Sequence, residues 1–152
     1  MKAQETVGYQ LKVTWQSVVK MYNRVTSEDD FSQAIGYVLV NVKKEGIPVT
    51  KIAPLMGIEP TSLSRLLKTM EERGLIYREK DLKDRRVVML RLTPKGFELK
   101  KISRKIVLDY NKMIKMNIPE EELEVFFKVI SKVRKLTCKV GVPDEELIHK
   151  NC

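Results

Sequence analysis

Apolar residues recur every three or four positions along most of the chain, a spacing that brings them onto one face of an α-helix. Two helices are predicted before residue 46, the first over about residues 6–24, and two long helices after residue 93. Their four apolar stripes are Leu11, Trp15, Val18 and Tyr22; Phe31, Ile35, Val38 and Val42; Leu99, Ile102, Ile106, Tyr110 and Met113; and Leu123, Phe126, Ile130 and Val133. Ser27 with Asp30 resembles a capping box before the second helix, and Gly46 is predicted to end it.

Two shorter helices joined by a tight turn are predicted between residues 50 and 73. Thr50 is expected to cap the first, which Gly57 ends in a left-handed conformation, and Pro60 takes the first position of the second. Pro54 falls near a first turn, where a missing amide costs little. The residues predicted to pack the two helices together are Leu55, Ile58, Leu63, Leu66 and Leu67. This arrangement is typical of a helix-turn-helix.

A β-hairpin is predicted after the helix pair. Its strands cover Leu75 to Lys80 and Val87 to Leu92, and a further short strand is expected at Ile47 to Val49. Thr93 and Pro94 then begin the next helix, with the residue types that favour a helix start. The chain is therefore predicted to be mainly α-helical with a small β-hairpin.

The second helix of the pair presents polar side chains on its outer face. Hydroxyl groups can bond phosphates or base edges, and an arginine can pair with guanine through two hydrogen bonds. The candidate DNA-binding residues on this face are Thr61, Ser62, Ser64, Arg65 and Lys68. The alternative is an ordinary solvated helix face.

The DLKDR tip of the hairpin is too charged to be buried. Lys83, Arg85 and Arg86 crowd it, and Asp84 lies at a spacing from which its carboxylate can brace Arg86. A stiff, projecting arginine is attracted by the negative potential of a narrow minor groove. These four residues are therefore candidate DNA contacts, and the alternative is a solvated charged turn.

Charge and composition agree with a polyanionic partner. The 152 residues carry a net charge of +9, which favours nucleic acid over most other partners, although a lysine-rich surface alone is the alternative. The sequence contains no long apolar run and no recognisable secretory signal, so we expect a cytoplasmic protein without a membrane partner. Two cysteines, Cys138 and Cys152, fit free thiols in a reducing compartment, and oxidant sensing by either one stays open.

The sequence does not predict an enzyme. His149 is the only histidine and lies in the tail, where residues 144–150 are expected to add one short turn. A histidine-based metal site or catalytic triad therefore lacks its parts, and no phosphate-binding glycine loop is present. We expect no catalytic residues, no metal and no cofactor.

The residues described so far resemble a known family. Thr61–Ile76, with D-x-R at Asp84–Arg86 and L-T-x-x-G at Leu92–Gly96, is similar to the multiple antibiotic resistance regulator (MarR) family of winged-helix transcription factors. The resemblance covers nearly the whole chain. It departs at Leu82, where a proline is frequent and leucine would leave the wing tip looser, and at Pro54 in the support helix.

The resemblance implies a winged helix-turn-helix flanked by N- and C-terminal dimerisation helices. Residues 1–45 would supply dimerisation and support, residues 46–96 the DNA-binding lobe and residues 97–152 the C-terminal dimerisation helices, all in one intertwined unit. Pro60–Arg73 would be the recognition helix in the major groove, and Arg86, braced by Asp84, would enter the minor groove.

Relatives of this kind often bind a small aromatic or acyl effector between the dimer helices and the DNA-binding lobe. Trp15, Met21, Tyr22 and Tyr37 are candidates to line such a pocket, with plain core packing as the alternative for each. Binding would change the distance between the two reading heads and release DNA.

The function expected from the sequence is a homodimeric, sequence-specific transcription regulator that binds double-stranded DNA. It would be a ligand-responsive repressor of a pseudo-palindromic operator, because two copies related by a twofold axis place two recognition helices about 34 Å apart. Two alternatives from other classes are a chromosome protein that coats DNA without sequence preference, and a winged-helix module that binds another protein.

Overall fold

The computed structural model describes residues 2–139 of the chain. His149, Cys152 and the turn expected over residues 144–150 lie outside the described residues. The helices are α1 (Val7–Val25), α2 (Gln33–Asn41), α3 (Ile52–Met56), α4 (Pro60–Glu72), α5 (Pro94–Asn117) and α6 (Glu120–Lys139). Short 3-10 helices at Ala3–Glu5 and Val49–Lys51 precede α1 and α3.

Three antiparallel strands form a small sheet in the order β1-β3-β2. The hairpin pairs β2 (Ile76–Lys80) with β3 (Val88–Leu92), so that Ile76 faces Leu92 and Lys80 faces Val88. The short strand β1 (Ile47–Pro48) adds to the other side of β3. The predicted fold class, mainly helical with a small hairpin, is confirmed.

The core lies where α2, α3, α4 and the sheet meet. Val38 of α2, Met70 of α4 and Leu90 of β3 are completely buried in it. The stripe predicted for the second helix is confirmed as core, although Phe31 precedes α2 and Val42 follows it. Leu99 and Ile102 of α5 and Leu66 of α4 are partly buried and pack against this cluster. The candidate recognition helix therefore packs against the main hydrophobic core.

The stripes of α1 and α6 behave differently from the core stripes. Leu11 is 39% exposed, Trp15 50% and Phe126 54%, so both helices leave a large part of their apolar face uncovered in the single chain. Along the chain from residue 2 to residue 139, none of the helices combines the length and the apolar character needed to cross a membrane. Within residues 2–139, no other element covers these exposed parts of α1 and α6.

Two predicted caps are wrong. Ser32, not Ser27, caps α2 by accepting a hydrogen bond from the Ile35 amide, because residues 26–30 form a turn in which the Ser27 hydroxyl donates to the Arg24 carbonyl. Thr50 lies inside the 3-10 helix before α3 and is not a cap. Gly57 and Pro60 occupy the predicted positions, with Gly57 left-handed at φ 61°.

Leu55 does not join the two helices of the pair, contrary to prediction. It is 53% exposed, whereas Ile52 and Ala53 are buried and Met56 packs against the core. The reason is the periodicity of this short helix, in which those three residues share one face and Leu55 is turned about a quarter to a third of a turn away from it.

The cysteine prediction also needs correction. Cys138 is disulfide-bonded, so the expectation of a free thiol is wrong for this residue. That expectation depended on the number of cysteines and an expected reducing compartment. A disulfide instead requires two side chains to approach in a suitable geometry, which a count cannot show.

The L-T-x-x-G motif joins the hairpin to α5 at a very close contact. Thr93 caps α5 by accepting a hydrogen bond from the Gly96 amide at 3.1 Å, while its hydroxyl donates to the Gly74 carbonyl at 2.6 Å. A Cβ at Gly96 would lie 2.0 Å from the Leu75 carbonyl oxygen. A side chain at residue 96 would therefore force the start of α5 away from Leu75, which links α4 to β2.

We expect Gly96→Ala to lower the free energy of unfolding by about 1 to 3 kcal/mol, because inserting a methyl group into a packed backbone contact displaces both partners. Gly8→Ala is the matched control, since an added Cβ there meets no atom within 4 Å. Alanine is also the better helix former, so the control should be neutral or stabilising. Equal losses for the two variants in urea unfolding would contradict the contact.

Candidate nucleic-acid interface

The outer face of α4 is polar because its inner face is held in the core. Leu63, Leu67 and Met70 are buried, and Pro60 opens the helix at its first position. The Ser64 hydroxyl donates to the Pro60 carbonyl at 3.0 Å, which leaves its oxygen able to accept. The structure places all five candidate residues of this face in solvent: Thr61, Ser62, Ser64, Arg65 and Lys68.

The tip of the hairpin holds one arginine in a fixed direction. The Asp84 carboxylate accepts hydrogen bonds from Arg86 Nε at 3.0 Å, from Arg86 Nη2 at 3.1 Å and from the Arg86 amide at 3.0 Å. The Arg86 side chain is nevertheless 91% exposed. The brace inferred from the spacing of these two residues is therefore present, and it leaves the guanidinium free to meet a ligand.

The protonation state of this pair follows from the same contacts. The hydrogen bonds from the Arg86 side chain and amide hold the pKa of the Asp84 carboxyl below its ordinary value, and the Asp84 carboxylate raises the pKa of Arg86. Both groups are therefore charged at neutral pH, which gives the charge-assisted pairing its strength.

Asp81 is a residue of the tip that sequence reasoning missed. Its carboxylate accepts hydrogen bonds from the amides of Lys83 and Asp84, each at 3.0 Å, and these bonds lower its pKa. The signal was present, since an aspartate that starts a turn commonly bonds amides two and three residues further on. These bonds use the amides of residues 83 and 84, so they form whatever side chain occupies position 82.

The remaining cations of the tip, Lys83 and Arg85, are exposed beside Arg86. Leu82 is 91% exposed, so its side chain contributes no packing to the tip. The tip is closed instead by two backbone hydrogen bonds of 2.9 Å, from the Asp81 amide to the Val87 carbonyl and from the Val87 amide to the Asp84 carbonyl.

Ion pairs fix the orientation of the hairpin and α4 relative to their neighbours. Arg78 of β2 contacts Glu71 of α4, with Nε 3.0 Å from Oε1. At the end of α4, Arg73 bonds the carbonyl of Asp30 in the turn between α1 and α2, and Lys95 Nζ donates to the Arg73 carbonyl at 3.2 Å. These contacts hold α4 to β2, to the turn between α1 and α2 and to the start of α5.

A separate cavity of about 200 Å³ lies between α1, α2 and α5. Tyr22 and Tyr37, two of the four pocket candidates, line it together with Phe31, and burial raises the pKa of the Tyr22 hydroxyl. Met21 does not line it, because it is turned about 100° from Tyr22 around the helix. Trp15 lies two turns earlier along α1 and lines a groove between α1 and α6 instead.

Metal ligands are not gathered anywhere in the described part of the chain. From residue 2 to residue 139, no three side chains of histidine, cysteine, aspartate or glutamate lie close enough together to hold an ion. The polar face of α4 and the hairpin tip offer hydrogen-bonding groups and positive charge.

We expect the Asp84 carboxyl to titrate below about 3.9, the usual value for aspartate. Because its pKa is lowered in the folded protein, the brace is complete above the ordinary pKa and is lost as the pH falls through the lowered one. Carbon-13 chemical shifts of the carboxyl group measure this directly. In Arg86→Ala the midpoint should return toward the ordinary value, and an unchanged midpoint would contradict the assigned cause.

Comparisons with known proteins agree with this geometry. The model of the MarR family matches residues 42–88. Three solved structures are similar over most of the chain. The S. aureus MepR–DNA complex is 22% identical, with a TM-score of 0.75, covering 84% of this chain and 96% of that one. CouR from Rhodococcus jostii RHA1 bound to p-coumaroyl-CoA is 22% identical, with a TM-score of 0.76, covering 93% and 99%.

A mutant MarR from E. coli complexed with operator DNA is 20% identical, with a TM-score of 0.72, covering 84% of this chain and 92% of that one. The resemblance drawn from the helix pair, the D-x-R tip and the L-T-x-x-G motif is thereby confirmed. Residues 42–88 match the model of the MarR family, and the chain has the fold of these solved structures.

Proposed function

We propose that the chain is a homodimeric, sequence-specific DNA-binding transcription regulator that acts as a ligand-responsive repressor. The observation that carries the proposal is an arginine, Arg86, braced by Asp84 and yet 91% exposed, beside a helix whose outer face is polar. Two of the similar structures, MepR and E. coli MarR, are DNA complexes.

The polar face of α4 suits the major groove. An α-helix fits that groove, and base edges there present a distinct pattern for each base pair. Arg65 can read guanine through two hydrogen bonds, while Thr61 and Ser62, in the first turn, can bond phosphates or base edges. The positive end of the helix dipole lies at the same turn and favours an anion there.

The hairpin tip suits the adjacent minor groove. A narrow minor groove concentrates negative potential and attracts an inserted arginine. Arg86 is prepared for this role because its direction is already set by Asp84, which lowers the conformational entropy lost on binding. Lys83 and Arg85 would contact phosphates on either side of the groove.

The apolar faces of α1 and α6 support dimerisation. Leu11, Trp15 and Val18 of α1 face Phe126 and Val129 of α6 across an open groove. Contiguous exposed apolar surfaces mark interaction sites on soluble proteins. A second copy would cover these apolar faces, and the dimer would present two copies of α4 to one face of a duplex.

The cavity beside Tyr22 and Tyr37 is the proposed effector site. CouR, one of the similar structures, is bound to p-coumaroyl-CoA. A volume of about 200 Å³ lies below the usual range of drug-sized sites, so it would take a single aromatic ring or a short acyl group. The apolar lining and the two phenol groups suit such a ligand.

The net charge of +9 alone would also support a protein that coats DNA without sequence preference. A competition assay separates the two functions. A regulator should prefer a duplex selected from a random library by roughly 10³-fold or more over unselected duplex. Equal affinity for both would favour the coating function, and negligible affinity at low salt would rule out both.

Arg86→Ala should weaken binding to the selected duplex by about 1 to 3 kcal/mol without unfolding the protein, because it removes the minor-groove contact. Lys83→Ala is the comparison, since a phosphate contact is insensitive to sequence. It should weaken binding to every duplex and lower the salt slope by about one unit. The test is fluorescence anisotropy over a salt series; an Arg86→Ala variant that binds like wild type would remove the hairpin from the mechanism.

Phe126→Glu should shift the protein from dimer toward monomer, because it places a charge on the apolar face of α6. Leu55→Glu is the matched control, since Leu55 is 53% exposed and Phe126 54%, but Leu55 lies on α3. Sedimentation velocity measures the mass of each. A monomeric wild-type protein, or equal dissociation of the two variants, would contradict the proposed interface.

A further inference from the structure

We propose that Asp81 is a positioning residue for DNA recognition, which sets the direction of Arg86 through the backbone of Asp84. The inference depends on the proposed function, because the role that it assigns is exercised when the hairpin tip meets DNA. It concerns a carboxylate that contacts neither the guanidinium nor the outer face of α4 in the described hydrogen bonds.

The contacts form a two-step chain. In the first step, one oxygen of Asp81, Oδ2, accepts the amides of Lys83 and Asp84, each at 3.0 Å. This fixes the peptide plane from which the Asp84 side chain departs. In the second step, the Asp84 carboxylate grips the Arg86 side chain through Nε and Nη2. Without the first step, the Asp84–Arg86 pair would stay intact but would turn with a mobile tip.

Other sources of rigidity at the tip are few. The side chain of Leu82 is 91% exposed and that of Arg86 likewise 91%, so packing does not hold either one. Backbone hydrogen bonds between Asp81 and Val87 and between Val87 and Asp84 close the ends of the turn. The amides of Lys83 and Asp84 lie within that turn, and the Asp81 carboxylate is their acceptor.

The sign of the change in DNA affinity distinguishes a positioning role of Asp81 from a purely electrostatic one. A carboxylate on a DNA-facing tip repels phosphates, so removing its charge should strengthen binding if charge were its only effect. Loss of a positioning contact has the opposite sign, because Arg86 would then lose conformational freedom on entering the groove. A weaker complex after Asp81→Ala therefore separates positioning from simple charge.

The experiment compares Asp81→Ala, Asp81→Asn, Arg86→Ala and the double variant Asp81→Ala/Arg86→Ala on a duplex that the wild-type protein selects from a random library. Asparagine keeps an oxygen that can accept both amides and removes the charge. We expect Asp81→Ala to weaken binding roughly three- to tenfold, the size of a lost capping contact. Asp81→Asn should bind within about twofold of wild type or more tightly.

The double variant tests the route through Arg86. If Asp81 acts by directing Arg86, the double variant should bind no more weakly than Arg86→Ala alone, because the contact that it supports is already gone. Additive losses would overturn the proposed route. Unchanged or tighter binding by Asp81→Ala would overturn the positioning role itself.

Nitrogen-15 relaxation of Arg86 Nε in the free protein tests the same role without DNA. Its order should fall in Asp81→Ala and recover in Asp81→Asn, and no change would overturn the proposal even if DNA affinity falls. A wild-type protein that selects no duplex would contradict the proposed function, while this measurement would still decide whether Asp81 orders the tip. If Asp81→Ala does not fold, Asp81→Ser, a weaker acceptor of the same kind, takes its place with the same expected order.

Discussion

The first turn of α5 lies so close to the segment that links α4 to β2 that residue 96 has no room for a side chain. A Cβ at Gly96 would lie 2.0 Å from the Leu75 carbonyl oxygen, and Thr93 bonds both the Gly74 carbonyl and the Gly96 amide. This contact joins the start of α5 to the residues that link α4 to β2. Because β2 begins at the residue after Leu75, the same contact holds the base of the hairpin beside the start of α5.

The charged side chains of the hairpin tip also have a defined arrangement. Two carboxylates and three cations share residues 81–86, and the carboxylates are used up in hydrogen bonds within the turn. The guanidinium of Arg86 is held on one edge and exposed on the rest, so it is both ordered and available. Because both carboxyl groups have lowered pKa values, this arrangement persists throughout the neutral and mildly acidic range.

Local signals in the sequence predicted those elements whose cause is local. Gly57, Pro60 and Thr93 end or begin helices as expected, because a left-handed stop, a first-position proline and a threonine cap depend on neighbouring residues only. The D-x-R brace was predictable for the same reason, since Asp84 and Arg86 lie two residues apart. The turn at Asp81 has an equally local cause, because an aspartate that starts a turn accepts hydrogen bonds from amides two and three residues further on, but it was not among the predicted features.

The wrong predictions share a different cause. Ser27 and Ser32 both precede α2 and both can cap a helix, but Ser27 lies in the turn at residues 26–30 and its hydroxyl donates to the Arg24 carbonyl instead. Leu55 is apolar at a plausible spacing, but a five-residue helix has too little pattern to define its inner face. Trp15 and Tyr22 lie on one stripe, yet they reach different cavities because α5 approaches α1 near Tyr22 and α6 approaches it near Trp15. The spacing of apolar residues along one helix does not determine tertiary packing of this kind.

The position of the cavity gives the proposed effector a physical route to DNA. Phe31 lines the cavity and also belongs to the core cluster that contains Leu63, Leu67 and Met70 of α4. The preceding residue, Asp30, has a left-handed backbone at φ 52° and bonds Arg73 at the end of the same helix. A ligand that displaced the Phe31 ring would therefore disturb both the packing beneath α4 and the contact at its end. Because a closely packed core does not deform gradually, such a displacement would move α4 as a body, and in the proposed dimer this would change the distance between the two copies of α4.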